Sequence, residues 1–229
     1  MTLFYSKKLN TLSSDESNHC LRTLRKKIND TILITQGDGV IHSAKIVDIT
    51  NNIVTYQNIK IIEKKKKKVH IHIAISPPKN RTRFEWFLEK VTEIGIDIIS
   101  PVICENSERR EINYDRSKKI LISAMKQSKN SFLPIINKPI LFNDIVKKST
   151  QNSYIAHCYQ DDKKDFKNIL LNKKKLHEIT LFIGPEGDFS KKELNFAIKM
   201  GIIPVTLGEN RLRTETAGII GCNMINLLA

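Results

Sequence analysis

Two hydrophobic periods run along this chain, and the change from one to the other divides it. Residues 31–35, 40–49 and 53–62 carry β-branched, partly alternating apolar positions, the pattern of strands with one covered face. Gly37-Asp38-Gly39 and Thr50-Asn51-Asn52 supply turns between them. A short helix is predicted ahead of these strands, with Ser14 as its cap and an amphipathic segment Asn18-His-Cys-Leu-Arg-Thr-Leu-Arg25. The first third therefore reads as a small β-barrel. From residue 69 onward, short apolar runs alternate with helical spacing. Strands are predicted at 69–76, 98–103, 154–158, 181–183 and 202–207. Helices are predicted from Thr82, where Thr82 and Glu85 have the spacing of a capping box, over 116–128, and from Ser190, where Glu193 repeats that spacing. In the first, Phe84, Phe87, Leu88, Val91 and Ile94 recur at helical intervals until Gly95 stops it; Gly201 stops the third. A last helix begins at Thr214 or Glu215. Strand–helix alternation of this kind predicts an α/β fold with a parallel sheet and helices on its faces. Glu63 and the run Lys64-Lys-Lys-Lys-Lys68 mark the boundary, giving domains 1–68 and 69–229. The run is most simply a solvated connector, with an RNA-touching strap as the sharper alternative.

Ligands on parallel sheets sit beyond the carboxyl ends of the strands, and two segments with unusual chemistry lie at such ends. Leu181-Phe-Ile-Gly-Pro-Glu-Gly-Asp-Phe-Ser190 is a strand, a sharp turn and a capped helix start. Gly184 and Gly187 bracket Pro185 and Glu186, so backbone can approach a ligand with no Cβ in the way. Leu207-Gly208 and Arg211-Leu-Arg-Thr-Glu-Thr-Ala217 form the second turn. Thr214 as an N-cap and Glu215 as a helix-dipole partner account for two of its polar residues. Arg213 is left over, a guanidinium suited to a phosphate or a developing anion. Neither turn has the glycine spacing of a nucleoside-triphosphate or dinucleotide loop.

The formal charge of +14 points to a polyanionic partner, although lysine and asparagine are abundant throughout and base-composition drift explains part of it. Cys20, Cys104, Cys158 and Cys222 are widely spaced, so neither a zinc site nor a disulfide framework is indicated. No apolar run is long enough to span a bilayer, and the first residues lack the apolar core of a secretory signal, which implies a cytoplasmic protein without membrane attachment. His70 and His72 share a strand face and imitate a metal pair, but no third ligand accompanies them, and no metal is expected. His157 ends a predicted strand, to contact a ligand or to be buried and hydrogen-bonded. Trp86 is assigned to core or dimer packing.

Ile183-Gly-Pro-Glu-Gly187, Leu207-Gly208 and Leu212-Arg-Thr-Glu-Thr-Ala217 resemble the signature segments of the RsmE family, bacterial ribosomal RNA methyltransferases of the SPOUT superfamily. Asn18 to Arg25 resembles that family's N-terminal RNA-binding segment. Phe84-Glu-Trp-Phe-Leu-Glu-Lys-Val-Thr-Glu-Ile-Gly95, Ala124-Met-Lys-Gln-Ser128 and Leu133-Pro134 resemble two further family regions. The resemblance implies a PUA-like β-barrel followed by an α/β knot, a parallel sheet whose C-terminal chain is threaded as a trefoil. It also implies a homodimer that transfers methyl from S-adenosylmethionine to N3 of a uridine in 16S ribosomal RNA, in the assembled 30S particle. On this reading Ile183, Gly184, Pro185, Glu186, Gly187, Leu207, Gly208, Leu212, Thr214, Thr216 and Ala217 hold the cofactor. Arg213 stabilises the uracil anion, Glu215 or Glu186 relays the proton, and His19, Arg22, Arg25 and Arg109 meet RNA. The chain departs from the family pattern at Asp188, where a second glycine is usual, and at Asn106 and Asn130, where arginine is common; Arg109, Arg110 and Lys129 stand near enough in sequence to substitute. Two alternatives stay open: a non-catalytic RNA-binding assembly factor, and a ribose 2′-oxygen methyltransferase on the same fold.

Overall fold

The computed structural model describes residues 2–160, 162–173 and 177–229. They form two compact units: residues up to Lys66 together with Ile122–Leu133, and Lys67–Leu121 together with Pro134–Ala229.

In the first unit β1 (Leu3–Tyr5), β2 (Thr31–Thr35), β3 (Val40–Thr50) and β4 (Ile53–Lys64) pair in that order. The β1–β2 pair is parallel; the others are antiparallel. Asn51 and Asn52 both take positive φ, 51° and 60°, as the tight turn between β3 and β4 requires. Inward-facing residues of these strands, among them Ile32, Ile34, Ala44, Ile46, Val54 and Tyr56, close over Phe4, Leu12 and Cys20. Strand β1 was not legible as a strand, because three residues show no period. The preceding helix α1 (Ser14–Asn18) is capped by Ser13, whose hydroxyl accepts from the Glu16 N–H, and not by Ser14. It runs into a π-helical turn over His19–Thr23, so the amphipathic segment is less regular than its spacing predicts. Residues 122–133 join this unit through main-chain bonds: the Gly39 N–H donates to Ser131 O, and the Leu133 N–H to Gly37 O.

The second unit is an α/β layer. Its strands are β5 (His70–Ile75), β6 (Ile98–Ile103), β7 (Ile135–Ile136), β8 (Ile140–Leu141), β9 (Ser153–Ala156), β10 (Lys164–Asp165), β11 (Glu178–Ile183) and β12 (Ile203–Thr206). They pair in the order β10-β12-β9-β11-β5-β6-β7, with β8 also on β6, and every pair is parallel. The central strands are covered on both faces, and β11 is buried from Ile179 to Ile183, ending in the apolar run Leu181–Ile183. The helices are α2 (Arg81–Ile94), α3 (Tyr114–Gln127), whose residues from Ile122 onward are counted with the first unit, α4 (Phe142–Val146), α5 (Phe166–Asn172), α6 (Lys191–Lys199) and α7 (Thr214–Leu228). Helix α6 starts on the expected capping box of Ser190 and Glu193. Helix α2 ends at Gly95, with φ 116°, but its cap is Asn80 and not Thr82. Glu85, the supposed box partner, instead holds the Arg116 guanidinium through both carboxylate oxygens, at 2.5 and 2.8 Å. The short elements β7, β8, β10, α4 and α5 carried no usable pattern. Lys67, counted with the solvated run, forms a largely buried ion pair with Asp97.

Candidate functional site

Strands β12, β9 and β11 are neighbours, so the segments leaving their carboxyl ends meet. Two adjoining hollows lie there. The smaller, about 350 Å³, is lined by residues of the 183–188 turn, by Arg83, and by 211–214. The larger, about 570 Å³, is lined by residues of 156–163 and 205–212. Ala156, Cys158, Arg211, Leu212 and Ala217 belong to both walls. Gly184 and Leu212 therefore face one hollow, and the sizes are those of small-ligand pockets.

The turns are tied together by bonds that local sequence does not announce. The buried Thr214 hydroxyl donates to Gly184 O at 3.0 Å, joining the start of α7 to the turn after β11. Thr214 is thus not the N-cap; Arg213 occupies that position and makes no side-chain capping bond. Asp188 has φ 64°, in the left-handed region that favours glycine. Its carboxylate accepts from the Cys158 N–H at 2.7 Å and from the Phe189 N–H at 2.8 Å, so it links the β11 turn to the segment after β9. The Asn106 amide donates to Gly187 O and Asp188 O. Two of the three departures noted in the sequence therefore touch each other and brace one turn. Gly208, in the wall of the larger hollow, has φ 146° and open space where a Cβ would stand, which leaves its peptide accessible.

Of the residues singled out in the sequence, Ile183, Gly184, Pro185, Glu186, Leu212, Arg213, Thr214 and Ala217 line the smaller hollow, and Leu207, Gly208, Leu212 and Ala217 the larger. Gly187 and Thr216 line neither. Glu186 is exposed, and one of its oxygens accepts from the Lys79 N–H at 3.0 Å. Glu215 also lines neither hollow; it is 5% exposed, and Arg83 Nε lies 3.6 Å from its Oε1. Arg109 is half-buried, and its guanidinium donates to Pro78 O and Lys79 O, so much of its donor capacity is spent on the main chain. In the first unit Arg22 and Arg25 are exposed and His19 packs near the Phe4 ring, their centroids 6.0 Å apart.

Several lining residues were missed: Arg83, Cys158, Tyr159 and Lys163. Arg83 stands in the first turn of α2, where a basic residue looks like any solvated one, and nothing local could have marked it. His157 is buried and lines the larger hollow. His72 Nδ1 lies 3.2 Å from Thr180 Oγ1 and its Nε2 2.8 Å from Ser100 Oγ; burial pushes its pKa down to about 4. His70 is exposed beside Asp97. Among the described residues no group of three or more His, Cys, Asp or Glu is placed to hold a metal ion, and no helix is long and apolar enough to cross a membrane. Trp86 is 46% exposed, so it is not a core residue of this chain.

Residues 65–226 match the family described as RNA methyltransferase domain. Ribosomal RNA small subunit methyltransferase E of Rickettsia conorii is 30% identical, over 95% of this chain and 89% of its own length. The crystal structure of a protein from Porphyromonas gingivalis, described as a probable rRNA-methyltransferase, superposes with a TM-score of 0.88. It is 35% identical and covers 100% of this chain and 98% of its own. A ribosomal RNA small subunit methyltransferase E from Neisseria gonorrhoeae, crystallised bound to S-adenosyl methionine, has the same fold. Its TM-score is 0.86 at 24% identity, over 97% of this chain and 95% of its own.

Proposed function

This chain belongs to the ribosomal RNA small subunit methyltransferase E family, and from that premise we propose that it transfers the methyl group of S-adenosylmethionine to N3 of a uridine in small-subunit ribosomal RNA. The observation that carries the reading is the paired hollow where the turns after β9, β11 and β12 meet, with Gly184 and Leu212 on one wall. Its fit to the cofactor rests on geometry. The Gly208 peptide lies open in the wall, and the turns around it are cross-braced by Thr214, Asp188 and Asn106. The Neisseria relative of the same fold binds S-adenosyl methionine. Ile183 to Gly187, Leu207, Gly208, Leu212, Thr214, Thr216 and Ala217 are assigned to hold it.

When bound, the cofactor supplies an activated methyl group, so the protein's task is alignment and handling of the acceptor proton. Uracil N3 carries a proton at neutral pH. Arg213 lines the smaller hollow, and its guanidinium has no hydrogen-bond or ion-pair partner among the described residues. It is assigned to stabilise the uracil anion. Glu186 is the accessible carboxylate on the same wall and takes the proton, directly or through water. The target base reaches this site only once unstacked.

The remaining parts follow from family membership. The first unit, 1–68 in sequence terms, is a PUA-like barrel that meets RNA through His19, Arg22 and Arg25. Residues 69–229 form the knotted catalytic domain; α7 returning to pack on β5 and β11 suits such a threading. The protein works as a cytoplasmic homodimer on the assembled 30S particle. Helices α2 and α7 pack together and carry exposed apolar side chains, Trp86 and Leu227, which suits a second copy. Gly218 and Gly221 face Phe87 and Leu181 of the same chain.

The test is methyl transfer to small-subunit particles from cells lacking the protein. Arg213→Ala is expected to lower kcat by about a hundredfold or more. Wild-type turnover in that variant removes Arg213 from the chemistry. Mass mapping of the product RNA decides the acceptor, and a methyl on a ribose oxygen overturns the assignment to N3.

A further inference from the structure

Basic and acidic side chains gather around the smaller hollow. Three guanidinium groups line it, those of Arg83, Arg211 and Arg213. Two carboxylates line it as well, those of Asp188 and Glu186, and a third, Glu215, pairs with Arg83. Asp188 takes the N–H groups of Cys158 and Phe189, and Glu186 takes that of Lys79. Like charges gathered around one opening are tolerable when an anion enters it. Arg83 is the odd member. It comes from α2, whereas Arg211 and Arg213 belong to the segment that leads into α7, and its side chain is 40% exposed. Its partner among the described residues is Glu215, whose Oε1 lies 3.6 Å from its Nε. A guanidinium has five donors in a fixed fork, so an ion pair at Nε orients the group and leaves the terminal donors turned to other acceptors.

Glu215 explains why the arrangement is built. It was a candidate proton relay, yet it is buried and faces neither hollow. A buried carboxylate needs a partner or a dipole, and it has both: Arg83, and its place in the first turn of α7. We infer that Arg83 contacts the RNA substrate by taking a backbone phosphate at the mouth of the smaller hollow, and that Glu215 is the positioning residue that holds its guanidinium there. Extruding a base carries its flanking phosphates toward the protein surface, and phosphate contacts fix register without reading sequence. This inference rests on the proposed reading of the cleft as a methyl-transfer site for RNA.

The experiment uses the full-length protein and small-subunit particles lacking the modification. Four variants are compared with wild type: Arg83→Ala, Arg83→Lys, Glu215→Gln and the Arg83→Ala/Glu215→Gln double. For each, kcat and KM for the particle are measured across a salt series, and S-adenosylmethionine affinity by calorimetry, which also reports an intact fold. Arg83→Ala is expected to raise KM for the particle about tenfold and to reduce the slope of log affinity against log salt by about one. Cofactor affinity should stay unchanged, and Arg83→Lys should recover part of the loss. Glu215→Gln should shift KM in the same direction and add nothing in the double variant. Unchanged particle KM in Arg83→Ala, a fall in cofactor affinity with particle binding intact, or full additivity in the double variant each overturns the inference. Absence of methyl transfer by the wild-type protein sinks the functional reading instead, and the salt series on particle binding still separates the two.

Discussion

At the scale of single residues, the site is held by side chains that cross between turns. The Thr214 hydroxyl is buried and donates to Gly184 O. Thr214→Val keeps the shape and removes the donor, leaving a carbonyl short of its partner in a dry setting. It should lower stability by about 1–2 kcal/mol and weaken S-adenosylmethionine binding, read by urea unfolding and calorimetry. A variant as stable and as tight as wild type would show the bond to be incidental. Asp188 poses a choice of sign. Glycine there would relieve a left-handed backbone, worth about 1 kcal/mol, but would remove the acceptor for the Cys158 and Phe189 N–H groups. Hydrogen bonds to a charged acceptor are worth about 1.5–3 kcal/mol each, so Asp188→Gly should be destabilising on unfolding, although glycine is the residue the backbone prefers. These two residues also mark the limit of a linear reading. The glycines were legible because a turn's needs are local. Thr214 looked like a cap because nothing in the sequence says that Gly184, thirty positions earlier, lies beside it.

Among the elements, legibility tracked locality in the same way. The box at Ser190 and Glu193 formed as expected, since both its bonds lie within four residues. The identical spacing at Thr82 and Glu85 failed because Asn80 competes for the cap and Arg116, from another helix, claims the glutamate. Strands β5, β6, β9, β11 and β12 were legible as apolar runs, whereas the two-residue strands, formed only where a neighbour offers an edge, were not. Helix α7 shows what spacing leaves out. Its start was readable, but its depth in the fold depends on Gly221, where a Cβ would stand 2.2 Å from Leu181 Cδ2. Leu181 is fully buried in β11, the strand that delivers the 183–188 turn. Gly221→Ala gains about 1 kcal/mol of helix propensity and meets an overpacking cost of about 1–3 kcal/mol. Thermal unfolding should therefore show a net loss, with weaker cofactor binding as β11 shifts. A raised melting temperature would mean that Leu181 has room to turn away.

For the whole molecule, the division into a β-rich unit and an α/β unit was visible as a change of hydrophobic period. The grouping of residues 122–133 with the first unit was not, because it rests on main-chain bonds to Gly37 and Gly39. His72 raised the question of a metal pair, and its surroundings turn it into a determinant of global stability. It is wedged between Thr180 and Ser100 on neighbouring strands of the central sheet, and burial lowers its pKa to about 4. A histidine depressed on folding is neutral in the native state while the unfolded chain still binds a proton, with a pKa of about 6.5. Between those two values the unfolded state binds more protons, so stability rises with pH. The contribution is fully present above about pH 6.5 and is lost as pH falls toward about 4, on the order of 3 kcal/mol across the window. His72→Gln, which keeps hydrogen-bonding capacity without a titrating ring, should flatten that part of the stability–pH curve while leaving the charged surface unchanged. Urea midpoints at pH 7, 6, 5 and 4.5 for the two proteins measure the difference directly. If both lose stability in parallel over this range, carboxylates elsewhere carry the acid sensitivity, and the buried imidazole is stabilised in its charged form by contacts stronger than its desolvation.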